Sequence, residues 1–209
     1  MNMSGLINIL LPPTKIPMKI GLFFGSFNPP HIGHMAIANY MVEYAGLTQV
    51  WFVVSPQNPL KEQSGLLKDY DRLELMRLAV NDDRRFRVSD VEFRLSKPSY
   101  TINTLEFLKE KFPDHLFSLI IGTDNLENFN KWKEYERILD NYPILVYPRP
   151  GYEISAQLVH DHIRLVEAPK LEISSTFIRQ AIAEGRDVRY FVPERVWDYM
   201  DKMNYYRKP

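Results

Sequence analysis

Cysteine is absent from the 209-residue chain. That absence excludes disulfides, thiolate zinc sites and a cysteine nucleophile, and it fits a reducing compartment. There is no surplus of either charge: Lys plus Arg and Asp plus Glu each number 26, so no basic field draws in a nucleic acid. Any phosphate binding must come from local geometry, which favours a small anionic ligand over a polymer. No apolar run is long enough to span a bilayer. The apolar stretch at residues 6–11 has no basic segment before it and no small-residue cleavage site after it, so it reads poorly as a signal peptide. Internal repeats and low-complexity tracts are missing too. These absences lead to the expectation of a cytoplasmic, soluble protein with small-molecule ligands, no nucleic acid, no membrane, and an oligomer left open.

What is present is an ordinary globular composition, 45% apolar and 25% charged, in a chain long enough to enclose one sizeable core. Residues 19–24 (KIGLFF) form a short apolar run ending in Gly25, the pattern of a buried parallel strand entering a tight turn. Further strands are expected at 50–54, 86–91, 116–121, 144–147 and 163–166. Amphipathic or capped helices are expected at 33–44, 70–80, 101–111, 132–139, 175–184 and 193–203. Strands alternating with helices at this spacing argue for βαβ units, hence an α/β fold with a mostly parallel sheet and helices on both faces. Residues 56–68 are polar with Pro and Gly, as in a surface loop. Residues 1–17 precede the first convincing strand and are expected to be an extension to a single domain spanning 18–209.

The densest chemical signal is GSFNPPHIGH, residues 25–34, between the first strand and the first helix. Ligands of parallel α/β sheets sit outside the carboxyl ends of the strands, where this segment falls. Gly25 lets the backbone approach a ligand, and the helix start offers unpaired N–H groups to phosphate. His31 and His34 are three apart, so both can lie on one side of that helix start. Two imidazoles there can donate to a phosphate without the lysine of a P-loop, whose glycine pattern is not present. In residues 173–179 (ISSTFIR), Ser174 or Ser175 can cap a helix that faces an anion, and Arg179 one turn later can bind phosphate oxygens.

These two segments resemble the HxGH and ISSTxIR signatures of the nucleotidyltransferase superfamily. Within it, residues 97–101 (KPSYT), 121–126 (IGTDNL), Trp132, 147–152 (YPRPGY) and 188–206 are similar to the nicotinate-nucleotide adenylyltransferase family. The resemblance runs in order from Met18 to Tyr206. It implies a Rossmann-like doubly wound sheet and adenylyl transfer from ATP to nicotinate mononucleotide, with Mg²⁺ carried by ATP and no metal ligand from the chain. It further implies His31, His34 and Arg179 as the catalytic residues. ATP would meet Gly25, Ser26, Phe27, His34, Gly122, Asp124, Ser174, Ser175, Thr176 and Arg179, with Asp124 on ribose hydroxyls. The mononucleotide would meet Asn28, Lys61, Ser99, Tyr100, Thr101, Trp132 and Arg149, with Lys61 and Arg149 candidates for the ATP phosphates as well. Trp132 would stack on the pyridine ring, and backbone N–H groups around Tyr100 and Thr101 would receive its carboxylate. An amide mononucleotide or another phosphorylated acceptor on the same fold is the alternative substrate. A non-catalytic nucleotide sensor is the alternative class, and it would be expected to have lost one of His31, His34 and Arg179.

Overall fold

Strands that are apolar on both faces need cover on both faces, and the helices supply it. The computed structural model describes residues 17–56, 65–152 and 160–208. Apart from Pro17, the expected N-terminal extension lies outside them, as do Lys61 and the middle of the expected surface loop, residues 57–64.

The six strands are β1 (Lys19–Gly25), β2 (Gln49–Val54), β3 (Phe86–Ser89), β4 (Leu116–Gly122), β5 (Ile144–Tyr147) and β6 (Ile163–Leu165). Every pairing is parallel and the order is β3-β2-β1-β4-β5-β6. The helices are α1 (Ile32–Glu43), α2 (Asp69–Val80), α3 (Thr101–Lys111), α4 (Thr123–Leu126), α5 (Tyr135–Asn141), α6 (Ser175–Ala183) and α7 (Glu194–Lys202).

Side chains alternate across each strand, which divides the core in two. Phe23, Val50, Phe52 and Val54 pack with Ile37 and Met41 of α1 and with Leu73 and Met76 of α2. Ile20, Leu22, Trp51 and Val53 pack on the opposite face with Ile102 and Leu105 of α3 and Ile138 of α5. A third apolar group joins Leu75 of α2 to Ile178 and Ile182 of α6 and Val196 and Met200 of α7. This last group packs the C-terminal helices α6 and α7 against α2.

The strand expected at 86–91 stops at Ser89, and Val91–Phe93 is a 3-10 turn. The Ser89 hydroxyl accepts the Val91 N–H at 3.3 Å, giving the backbone a local alternative to the sheet. The helix expected at 132–139 begins only at Tyr135, because Glu134 takes a left-handed conformation at φ 52. Trp132 is thereby left on a loop. The four-residue α4 is too short to leave a periodic trace in sequence.

Candidate active site

The strand order reverses between β1 and β4, so the loops leaving these two neighbours diverge and open a crevice at their carboxyl ends. His31 is the N-cap of α1 and His34 stands at its third position. The His31 backbone N–H donates to His34 Nδ1 at 3.2 Å. With Nδ1 acting as acceptor, a neutral His34 ring carries its proton on Nε2 and can donate it outward. The two imidazoles stack with centroids 3.7 Å apart, and the edges of Phe23 and Phe27 pack against His34 at 6.0 and 5.1 Å. Gly33 between them leaves room for the ring: a Cβ there would lie 3.0 Å from His31 Nδ1, so the imidazole would have to shift by a few tenths of an ångström. His31 is 4% exposed. Burial, and next the Arg149 guanidinium, hold it down at about 4. At neutral pH it therefore offers a hydrogen bond and no charge.

The second segment docks on the first. Ser174 caps α6 by accepting the Phe177 N–H at 3.1 Å. The Ser175 hydroxyl donates to the Pro29 carbonyl at 2.8 Å, and Arg179 donates to the Asn28 carbonyl at 2.9 Å and to Thr176 Oγ1 at 3.3 Å. These contacts hold Arg179 beside the 25–34 segment.

Two expected ligand contacts turn inward. Asn28 is 3% exposed and its side chain is spent within the protein. Its Nδ2 donates to the Gly65 carbonyl, while Oδ1 accepts from the Leu67 N–H and the Tyr206 hydroxyl. Phe27 is 2% exposed, with φ 45, and its ring packs on Phe23, Phe52 and His34. Both side chains shape the loop from behind.

Sequence reasoning missed two residues of this support. Arg72 on α2 is fully buried and donates to the carbonyls of Leu67, Ser26 and Ser55 and to Asp69 Oδ1. It ties the loop after β1 to the end of β2. Tyr206, far along the chain, reaches Asn28 at 2.8 Å, and burial pushes its phenol well above the usual range. A lone Arg on an amphipathic helix reads as solvated, and the 188–206 stretch that resembles the family does not reveal that Tyr206 turns back to the loop after β1.

Two hollows share Phe23 and Tyr147 as a wall. The narrower cleft is lined by His31, His34, Arg149, Leu171 and Ile173 among others. The larger, of ≈ 520 Å³, brings together Gly25, Ser26, Gly122, Asp124, Ser99, Tyr100, Thr101 and Trp132. Arg149, a candidate for either substrate's phosphates, lines the cleft of the histidines, and its Nε stands 3.4 Å from Asp124 Oδ1. Asn125, Asn128, Lys133, Tyr152, Ser55 and Glu92 also line the larger cavity, unanticipated from sequence. Lys133 Nζ lies 4.9 Å from the centroid of the Tyr100 ring. Tyr147 is pushed up to about 12, chiefly by burial. Among the described residues, no group of three or more His, Asp or Glu side chains is placed to hold a metal ion, and no helix is long and apolar enough to cross a membrane.

The cytidylyltransferase-like family model matches residues 22–181 of the chain. A protein of Flavobacterium johnsoniae named "probable nicotinate-nucleotide adenylyltransferase" is 51% identical over 193 residues, covering 91% of this chain and 100% of its own. A Bacteroides thetaiotaomicron protein of the same name is 52% identical over 183 residues, covering 88% of this chain and 91% of its own. The solved structure of Plasmodium falciparum nicotinic acid mononucleotide adenylyltransferase complexed with NaAD superposes with a TM-score of 0.76 at 20% identity, covering 90% of this chain and 97% of that one. At that identity the likeness speaks for the fold.

Proposed function

The chain belongs to the cytidylyltransferase-like family, and from that premise we propose that it transfers the adenylyl group of ATP to nicotinate mononucleotide, a step of NAD biosynthesis. One observation carries the reading: a cleft holding the stacked histidine pair and Arg149 adjoins a cavity with Trp132 and the start of α3. The first suits a triphosphate and the second an aromatic acid.

A phosphate oxygen of the mononucleotide attacks the α-phosphorus of ATP. The bond from that phosphorus to the bridging oxygen breaks, and pyrophosphate leaves. The attacking phosphate is already ionised near neutral pH, so the protein need supply no general base. Its work is positioning and stabilisation of charge as the α-phosphorus gains a fifth ligand. His34 Nε2–H and the neutral His31 ring donate to phosphate oxygens, and Arg179 and Arg149 supply positive charge. The His31–His34 bond and the contacts of Arg179 with Asn28 set these donors before ATP arrives. Magnesium would enter with ATP, held mainly by phosphate oxygens and water, and would neutralise charge on the triphosphate. Ser174, Ser175 and Thr176 present the α6 N-terminus to the phosphates. Asp124 accepts from ribose hydroxyls of the nucleotide.

Ser99, Tyr100 and Thr101 lead into α3, whose N-terminal N–H groups favour a carboxylate over a neutral amide. Pyrophosphate release should therefore be faster with nicotinate mononucleotide than with its amide analogue, by about tenfold or more in kcat/KM. Comparable rates would remove the carboxylate site, and no turnover of either by folded protein would sink the reading. Trp132→Ala should raise KM for the mononucleotide by about tenfold or more while leaving KM for ATP near its original value. Equal effects on both substrates would exclude stacking by Trp132.

A further inference from the structure

The larger cavity contains more unsatisfied polarity than a pyridine ring and its carboxylate can use. Among the described residues, five buried side-chain polar atoms lack a hydrogen-bond partner. Three of the five, Glu92 Oε2, Ser99 Oγ and Trp132 Nε1, belong to residues lining this one cavity. Buried polar atoms are ordinarily paired, so three unpaired ones in residues that line one cavity point to a ligand that completes the bonding there.

Glu92 is the most constrained of the three. It is 2% exposed, on the 3-10 turn that follows β3. Its Oε1 accepts from Thr104 Oγ1 of α3 at 3.0 Å, and the Ser55 side chain at the end of β2 bonds the same carboxyl. Thr104 thus holds Oε1, while Oε2 is left without a partner. Burial pushes the carboxyl above its ordinary value, and the Ser55 and Thr104 bonds draw it back. Ser99 is 6% exposed and immediately precedes the segment that opens α3.

The chemistry of Oε2 limits what it can meet. An ionised carboxyl repels both the pyridine carboxylate and the mononucleotide phosphate. A ribose hydroxyl both donates and accepts, so it pairs with this oxygen in either protonation state. We propose that Glu92, with Ser99 beside the same cavity, binds a ribose hydroxyl of the mononucleotide and makes the enzyme select a ribonucleotide acceptor. The assignment rests on the mononucleotide reading given above and adds a specificity-determining residue to it.

The test is steady-state kinetics on the wild type, Glu92→Ala and Glu92→Gln, with nicotinate mononucleotide and its 2′-deoxy and 3′-deoxy analogues. In the wild type, removing the engaged hydroxyl should lower kcat/KM by about tenfold or more, mainly through KM. In Glu92→Ala the same removal should cost less than about twofold, because the partner is already gone. Glu92→Gln keeps a carbonyl acceptor and an amide donor and should retain part of the discrimination. KM for ATP should not move in either variant. A merely structural role would lower the rates of all three acceptors together and leave their ratios at wild-type values, which would overturn the proposal. So would a wild type indifferent to both hydroxyls, or a Glu92→Ala that loses acid-over-amide preference instead. Circular dichroism checks folding, and if Glu92→Ala is unfolded the Glu92→Gln ratios decide. Absence of turnover by the wild type would overturn the adenylyltransferase reading along with this one. Turnover with uncoupled ratios would overturn only this one.

Discussion

His31→Ala is expected to lower kcat by about 10²–10³, the usual cost of removing one preorganised donor from a site of developing charge. The protein should stay folded, with KM for the mononucleotide little changed, because the ring lines the histidine cleft and not the larger cavity. Near-normal turnover would remove the phosphate-binding role of the histidine pair. The same residue also sets a pH signature. His31 binds its proton at about 4 when folded, against an ordinary 6.5. Between those values the unfolded chain holds a proton that the folded chain does not, so stability falls as the pH is lowered through this window. The wild type should thus be destabilised by about 2–3 kcal/mol at about pH 4.5 relative to pH 7.5 from this group alone. His31→Asn should lack that part of the pH dependence. Urea unfolding at both pH values checks it, and an unchanged pH dependence in the variant would assign the effect elsewhere.

Arg72→Met should be the most destabilising single change on the binding side of the sheet. The guanidinium is fully buried and bonds Asp69 and three backbone carbonyls at 2.7–3.1 Å. Methionine fills similar volume but strands those four acceptors. Removing one partner of a buried charged pair costs about 3–5 kcal/mol. For a chain of this size that lowers Tm by about 10 °C. Burial draws the guanidinium below its usual range, and Asp69 opposes the shift, so it is the neighbouring carboxylate and carbonyls that keep the charge tolerable. Turnover should also fall at temperatures where the variant is folded, since the Ser26 carbonyl leads into the histidine loop. Arg72→Lys should recover only part of either loss, as an ammonium cannot reach the same fork of partners. A stability change under about 1 kcal/mol in Arg72→Met would show that water replaces the guanidinium freely.

The contiguous features of this protein were readable in its sequence because their geometry is local. Residues 19–34 run strand, loop and helix without interruption, so the placement of His31 and His34 at a helix start follows from apolar pattern and spacing. The Ser174 cap and Arg179 one turn later follow in the same way. All six strands were visible because parallel strands covered on both faces are continuous apolar runs. Where local competition entered, the reading slipped: a Ser89 hydroxyl ended β3, and a left-handed Glu134 delayed α5 and left Trp132 on a loop.

What spacing could not reveal is which side chains spend their bonds on the protein itself. Asn28 and Phe27 stand inside the signature segment yet face inward, held by Gly65, Leu67 and Tyr206 in one case and by packed rings in the other. Arg72 sits in a stretch that reads as ordinary surface helix, and Glu92 lies just past the expected third strand with no signal of its own. The sequence by itself determined the α/β alternation and the two segments here proposed to bind phosphate, since each depends on neighbours a few residues apart. Only the tertiary structure decided that Ser175 meets Pro29 across 146 positions and that Glu92, a lining residue of the larger cavity, keeps a buried oxygen unpaired. Burial and hydrogen-bond completion are properties of packed elements, and no local pattern encodes them.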